Sequence, residues 1–106
     1  MGGRETYEKS FFIPMEPGVR IRYQSDRGRE PHYAVLLEAE LDGRWTTVRC
    51  WDNADSVDEH HMHRYSEVEG KQPPERFSHG TCNDARKEAI EAAQATYKAV
   101  IESWHR

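Results

Sequence analysis

The sequence is poor in apolar residues and contains no long apolar run. Apolar residues make up 36% of its 106 residues, and no stretch approaches the roughly 18 apolar residues that a membrane-spanning helix needs. The first ten residues, MGGRETYEKS, also lack the apolar segment of a secretory signal peptide. We therefore expect a cytoplasmic protein with no membrane partner.

Cysteine is scarce as well, with only Cys50 and Cys82 in the chain. The two residues are not in Cys-x-x-Cys spacing, and only the tertiary fold could bring them together. This pattern favours free, buried thiols.

There is no excess of basic residues, since the formal net charge is −4. Non-specific nucleic-acid binding depends on neutralising phosphates with Lys and Arg, so this net charge argues against a general nucleic-acid coat protein. The charges are unevenly distributed, because an acidic run from Asp52 to Glu59 follows a stretch that is rich in arginine. That stretch contains Arg20, Arg22, Arg27, Arg29, Arg44 and Arg49. A local basic face is therefore compatible with the negative total.

What the chain does contain is enough aromatic surface for a small core. Ten per cent of the residues are aromatic and three are Trp, which separates the composition from that of a disordered chain. The length fits one domain. We expect a flexible N-terminal arm over residues 1–17, where Pro14 and Pro17 interrupt regular structure, and a single domain over residues 18–106.

Alternating apolar and polar residues predict four strands. The first begins at Val19, and the next two surround Asp42-Gly43, a pair typical of a two-residue type I′ hairpin. Counting outward from that turn places Tyr33 opposite Asp52 on the apolar face and Ala34 opposite Trp51 on the other face. A polar loop from 52 to 59 leads to the fourth strand, over residues 61–68, and an extended connection follows from Gly70 to Gly80.

The last element is a helix of five to six turns. Thr81 or Asn83 is the expected N-cap, and Asp84 complements the helix dipole in the first turn. One stripe of the helix is apolar; it contains Ile90, Ala93, Tyr97, Val100 and Trp104. The sequence therefore predicts an α+β fold, a four-stranded antiparallel meander with one long C-terminal helix packed on one face.

The stretch from Trp51 to Tyr65, WDNADSVDEHHMHRY, holds the candidate chemistry. His61 and His63 are two residues apart, so on a strand they share one face with Cβ atoms about 6 to 7 Å apart. Such a pair could cleave RNA, one His as base on the 2′-hydroxyl and the other as acid on the leaving oxygen. Arg64 would stabilise the phosphorane, and Asp52 would orient a histidine and favour its protonated form. We expect these four residues to line one depression.

Asn53, Tyr65 and Arg49 are the candidate substrate-binding residues beside this site. Two other interpretations stay open. The histidines could be ordinary residues of a solvated strand edge, paired with nearby acids, or they could bind a metal with Asp52, His60 or Cys50 as further ligands. No second tight pair of ligands accompanies the His cluster, so we expect neither a metal nor a cofactor.

The same region resembles the small TumE-type toxins of prokaryotic toxin–antitoxin modules. The resemblance is carried by Asp52-Asn53-Ala54, then His60-His61 and His63, then a strand, a loop and one C-terminal helix. Asp55 and Ser56 stand where that family has Pro-His-His, and Glu59 stands where it has Pro. The resemblance implies a small toxin with an antitoxin-like partner, and the histidine chemistry suggests a metal-independent ribonuclease that acts on RNA.

A protein-interaction module is the alternative function. The predicted outer face of the sheet carries Leu36, Trp45 and Trp51, ringed by charged residues, which is the composition of an interface centre. We expect this patch to form a homodimer, or else to be covered by Phe11, Phe12 and Ile13 of the same chain.

Overall fold

The computed structural model describes residues 9–26, 32–56, 59–78 and 80–105. Within these ranges the chain forms seven strands and one helix. The elements are β1 Lys9–Glu16, β2 Val19–Asp26, β3 His32–Leu41, β4 Arg44–Ser56, β5 Glu59–Ser66, β6 Gly70–Lys71, β7 Glu75–Ser78 and α1 Cys82–Trp104.

All described strand pairs are antiparallel, in the order β1-β2-β3-β4-β5, and β6 and β7 both pair with β5. The α+β class and the single C-terminal helix are confirmed, but the predicted number of four strands is wrong. One extra strand, β1, lies where the flexible arm was expected, so residues 9–16 belong to the sheet; residues 1–8 lie outside the described residues. The other two, β6 and β7, lie in the predicted connection between Gly70 and Gly80.

The hairpin at Asp42-Gly43 is confirmed. Both residues have positive φ, 53° and 77°, as a type I′ turn requires. The first four cross-strand pairs follow the predicted register, from Leu41 opposite Arg44 to Glu38 opposite Thr47.

Beyond the fourth pair the predicted register is wrong by one residue. The shift lies between Leu37 and Glu38, where Val48 is an extra residue on β4 and forms a β-bulge. Because side chains alternate, one extra residue exchanges the faces of every later residue on the strand. Trp51 therefore faces the core opposite Val35, while Asp52 lies opposite Ala34 on the other face.

Helix α1 begins with a capping box, and Thr81, one of the two predicted candidates, is its N-cap. The Thr81 hydroxyl accepts a hydrogen bond from the Asp84 N–H at 3.1 Å, and the Asp84 carboxylate accepts one from the Thr81 N–H at 3.4 Å. Small residues on the buried side allow close packing against β3, β4 and β5. The buried helix residues are Ala85, Ala89, Ala93 and Val100.

The sheet therefore has two distinct faces. The helix face packs against α1 and supplies most of the core, with Ile21, Val35 and Leu37 at 0% exposure. The opposite face, here called the distal face, is covered by no helix among the described residues. Its members include Leu36, Cys50, Asp52, His61 and His63. The one helix in the described part of the chain is not long and apolar enough to cross a membrane.

Candidate functional site

The pairing of β4 with β5 brings three of the four predicted catalytic residues together. Asp52 lies opposite His61, and Cys50 lies opposite His63. Residues directly opposite each other on antiparallel strands share a face, so both histidines and Asp52 lie on the distal face. Both imidazoles are half-buried, so each combines contact with protein and contact with solvent.

The ring of His63 is oriented by a backbone carbonyl. Its Nδ1 lies 3.1 Å from the Gln72 carbonyl oxygen, which can only accept a hydrogen bond, so Nδ1 carries the proton. In the neutral ring the lone pair then lies on Nε2. This tautomer gives His63 a defined nitrogen that can accept a proton.

Two carboxylates accompany the histidines. The Nε2 atom of His61 lies 3.9 Å from Oε2 of Glu59, which makes an ion pair when the ring is protonated. The Asp52 carboxylate accepts a hydrogen bond from the Cys50 thiol at 3.6 Å. Burial, and secondly the charge of Asp52, raises the pKa of Cys50 to about 12. Cys50 is therefore a neutral thiol near neutral pH and not a nucleophile.

Arg64 does not join this group. It lies opposite Arg49, one residue out of phase with His61 and His63, and strand alternation directs it to the other face. Its Nε donates to Oε2 of Glu75 at 2.7 Å. The prediction that Arg64 lines a depression with both histidines and Asp52 is therefore wrong.

A different cation lies on the histidine side of the sheet. Lys71 on β6 is opposite Tyr65, and Tyr65 has the same alternation as His61 and His63. Lys71 is exposed, and its charge acts to lower the pKa of Cys50. Lys71 therefore lies within electrostatic range of the distal-face residues.

Only one of the three predicted substrate-binding residues lies on the distal face. Tyr65 does, and burial raises the pKa of its partly buried phenol. Asn53 has 0% exposure, and its side-chain oxygen accepts a hydrogen bond from the Tyr33 N–H at 2.9 Å. Arg49 lies opposite Leu37 on the helix face. Asn53 and Arg49 are thus residues of the folded core and its margin, and neither faces the histidine pair.

His60 is a buried core residue, and the sequence does not predict its burial. It has 0% exposure, and its ring links β5 to β3 and to the segment before α1. Its Nε2 lies 2.9 Å from the Gly80 carbonyl and must donate, so in the neutral ring Nδ1 accepts from the Tyr33 hydroxyl at 3.0 Å. Strand alternation is the available signal, since His60 has the same phase as Met62, an apolar residue that packs against the core.

A metal centre receives no support from the geometry. No group of three or more His, Cys, Asp or Glu side chains has an arrangement that could hold a metal ion within the ranges that the structure describes. An open depression of about 460 Å³ lies beside the end of β5. Its lining residues are Arg64, Tyr65, Ser66, Val68, Glu69, Gln72 and Ser103. Of the four residues expected in one depression, it contains only Arg64.

The β-bulge moves Trp51 of the predicted interface patch to the helix face, whereas Leu36 and Trp45 stay on the distal face. Trp51 is 3% exposed in the core, so its assignment to an outer interface is wrong. Leu36 is half-buried on the distal face. Trp45 is 42% exposed, and the Arg20 guanidinium lies over its ring at 3.9 Å and over the Phe12 ring at 4.9 Å.

Residues 2–106 match a family described as a domain of unknown function, DUF7718. The chain belongs to this family. No curated protein matches it significantly, and no solved structure does. The family match covers the whole described fold, including β1 and the histidine pair.

Proposed function

We propose that this DUF7718 protein is a small toxin-like protein that acts on RNA through the distal face of its sheet. The observation that carries the proposal is the pairing of Asp52 with His61 beside His63. That register puts two half-buried imidazoles and a carboxylate on a face that no described helix covers. Histidine is the side chain best suited to proton transfer near neutral pH.

The proposed reaction is cleavage of the RNA chain by its own 2′-hydroxyl. His63 Nε2 removes the 2′-hydroxyl proton, and the 2′-oxygen attacks phosphorus. The bond from phosphorus to the 5′-oxygen breaks, and protonated His61 supplies a proton to that leaving oxygen. The products are a 2′,3′-cyclic phosphate and a free 5′-hydroxyl. Asp52 lies opposite His61, and Oε2 of Glu59 lies 3.9 Å from its Nε2.

Lys71 takes the cationic role in this proposal. The transition state carries extra negative charge on the phosphoryl oxygens, which a nearby cation stabilises. Arg64 is directed to the other face and paired with Glu75, whereas exposed Lys71 lies across from Tyr65 on the histidine side.

The resemblance to TumE-type toxins supports the same function. Asp52-Asn53-Ala54 lies in the last third of β4, and His60, His61 and His63 lie on β5, so the residues that carry the resemblance come from two adjacent strands. Under this proposal the cellular partner is an antitoxin-like protein that covers the distal face.

The decisive experiment compares RNA cleavage by single variants of the purified protein. His63→Ala and His61→Ala should each reduce the cleavage rate by about 100-fold or more, the usual contribution of a general acid or base. Lys71→Ala should reduce it less, and Arg64→Ala should leave it unchanged. His105→Ala is the matched control, because His105 is exposed and its ring lies beside Glu67, just beyond the end of β5, and not beside Asp52, His61 or His63.

Two results would contradict the proposal. One is wild-type protein that neither cleaves RNA nor slows growth on expression. The other is a loss of activity in Arg64→Ala with no loss in His63→Ala, since this would move the chemistry to the opposite face. Circular dichroism of each variant separates loss of chemistry from loss of fold.

A second candidate function is a protein-interaction module, favoured by the exposed stack of Phe12, Arg20 and Trp45. Phe12 and Trp45 are 54% and 42% exposed, with the Arg20 guanidinium over both rings. Aromatic residues and Arg are enriched at interface centres. Under this alternative, Trp45→Glu abolishes capture of an antitoxin-like partner, while His63→Ala has no effect on growth or RNA.

A further inference from the structure

Strand β1 is the edge of the sheet, and it is unusually apolar for an edge. Among the described residues only β2 pairs with it. Phe11 is 42% exposed on the helix face and Phe12 is 54% exposed on the distal face. Sheet edges are normally protected by charges or by short strands, because an apolar edge recruits another strand.

The hydrogen-bonding direction of each β1 residue is set by the neighbouring strands. The Glu40 N–H donates to the Gly18 carbonyl at 2.8 Å, so even-numbered residues of β3 direct their backbone groups towards β2. Their partner Arg22, which lies opposite Leu36, must then direct its own groups towards β3 and away from β1. Phe12, which lies opposite Arg22, therefore directs its N–H and C=O away from the sheet.

Pro14 agrees with this assignment. It is two residues from Phe12 and so also directs its backbone outward, which is where a residue without an N–H is tolerated. The outward groups of β1 are then the N–H of Ser10, the N–H of Phe12, and the carbonyls of Ser10, Phe12 and Pro14. The outward N–H groups, those of Ser10 and Phe12, thus lie in the first half of the strand, whereas Pro14 in the second half offers a carbonyl but no N–H.

This asymmetry fits a second copy of the same strand in antiparallel orientation. With the two-fold axis at Phe12, each Phe12 exchanges two hydrogen bonds with the partner's Phe12. Each Ser10 N–H donates to the partner's Pro14 carbonyl, so the missing Pro14 N–H costs little. Phe11 lies opposite the partner's Ile13.

We propose that two copies of this chain associate by antiparallel pairing of their β1 strands, centred on Phe12. The pairing joins the two sheets into one continuous sheet and covers the apolar edge. The distal faces of both copies then lie on the same side, so two histidine pairs face the same direction. The proposal is independent of RNA cleavage.

The first test is sedimentation equilibrium over a wide concentration range. Wild type should show a monomer–dimer equilibrium, and Phe12→Lys should raise the dimer Kd by at least about tenfold, because it removes the facing Phe pair and sets two like charges opposite each other. Val68→Lys is the matched control, since Val68 is an 83% exposed apolar residue away from β1, and it should leave Kd unchanged. Wild type that is monomeric at every concentration overturns the proposal, as does a dimer that Trp45→Glu dissociates and Phe12→Lys does not.

The second test identifies the register by disulfide formation in a Cys82→Ser background. A hydrogen-bonded antiparallel pair has Cα atoms about 5.5 Å apart, within disulfide range, so Phe12→Cys should form a covalent dimer under mild oxidation. Ser10→Cys should not, because the two Ser10 residues would be about 14 Å apart along the strands at the usual rise per residue. Equal cross-linking of both variants, or cross-linking of Ser10→Cys alone, overturns the register and with it the proposed dimer.

Discussion

Replacement of His60 by Ala should strongly destabilise the fold, and the expected size can be worked out from its contacts. The ring is fully buried and hydrogen-bonded at both nitrogens. The variant leaves the Tyr33 hydroxyl, on a residue that is 4% exposed, without its acceptor, at a cost of about 1–3 kcal/mol. Loss of the ring also leaves a cavity between Tyr33 and Phe77, whose ring centroids lie 5.7 and 6.2 Å from that of His60, at a cost of about 2 kcal/mol.

The expected total is therefore about 3–5 kcal/mol, a large part of the roughly 5–15 kcal/mol that stabilises an average domain. Urea denaturation followed by Trp fluorescence measures it directly. With a slope of about 1–2 kcal/mol per molar urea for a small domain, the midpoint should fall by about 1.5 M or more. Tyr33→Phe should cost less, about 1–2 kcal/mol, because it removes the hydroxyl and keeps the packing.

The matched control is His63→Ala. His63 is half-buried and has one described hydrogen bond, to the Gln72 carbonyl, so its loss should cost only about 1 kcal/mol. Equal midpoint shifts for the two histidine variants would refute the reasoning. So would strict additivity of His60→Ala and Tyr33→Phe, because two residues that share a buried hydrogen bond should show coupling of at least about 0.5 kcal/mol.

Two further predictions concern pH and charge. Burial raises the pKa of Cys50 from 9.0 to about 12 and also raises the pKa of Tyr33. The folded protein therefore keeps both protons at a pH where the unfolded chain loses them, so the free energy of unfolding should be constant below about pH 9 and should fall as the pH rises towards 12. Each group contributes at most about 1.4 kcal/mol per pH unit to this fall. Unfolding free energies from pH 8 to 11 check this, and the decline should be shallower in Cys50→Ala; a flat profile for wild type contradicts it. Arg49→Leu should stabilise the protein by about 1 kcal/mol. Burial, and secondly the charge of Arg64, lowers the pKa of Arg49, and its buried Nε has no hydrogen-bond partner among the described residues. A lower urea midpoint in the variant would contradict this prediction.

The elements that the sequence predicts correctly are those with a local cause. Asp42-Gly43 supplies two residues that tolerate positive φ, and Thr81 with Asp84 forms a capping box within one turn. Neither depends on distant contacts, so a short window contains all the information. Cys50 and Cys82 are both free, as predicted, but only Cys50 is buried and Cys82 is half-buried.

The N-terminal strand shows why local signals can also mislead. Pro14 and Pro17 predict an interruption of regular structure, yet Pro14 lies on an edge strand, where its missing N–H faces away from the sheet. Pro17 begins the turn to β2, and Gly18 adopts φ 82°, as at the third position of a type II turn. Proline marks an edge and a turn here, and only the position of β1 in the sheet decides between these uses and a flexible arm.

The bulge at Val48 is the feature that the sequence conceals. Nothing in the run Thr46 to Arg49 marks an extra residue, because β-branched and long side chains fit either face of a strand. The reason for the shift lies further along β4, at Trp51 and Asp52. In the uninterrupted register Trp51 would face away from the helix and the carboxylate of Asp52 would be directed into the core, where an unpaired charge is costly. The bulge exchanges these positions, so the indole is buried and the carboxylate is not.

The three histidines of β5 therefore lie in two separate environments, and this changes how their variants must be interpreted. His60 is directed into the core by the same alternation that directs His61 and His63 to the distal face. Loss of activity in His60→Ala would report unfolding, because its ring links the segment before α1 to β3 through Gly80 and Tyr33. Loss of activity in His63→Ala at nearly unchanged stability would instead report chemistry. A functional scan that replaces all three together could not separate these causes, whereas single variants measured for both stability and RNA cleavage can.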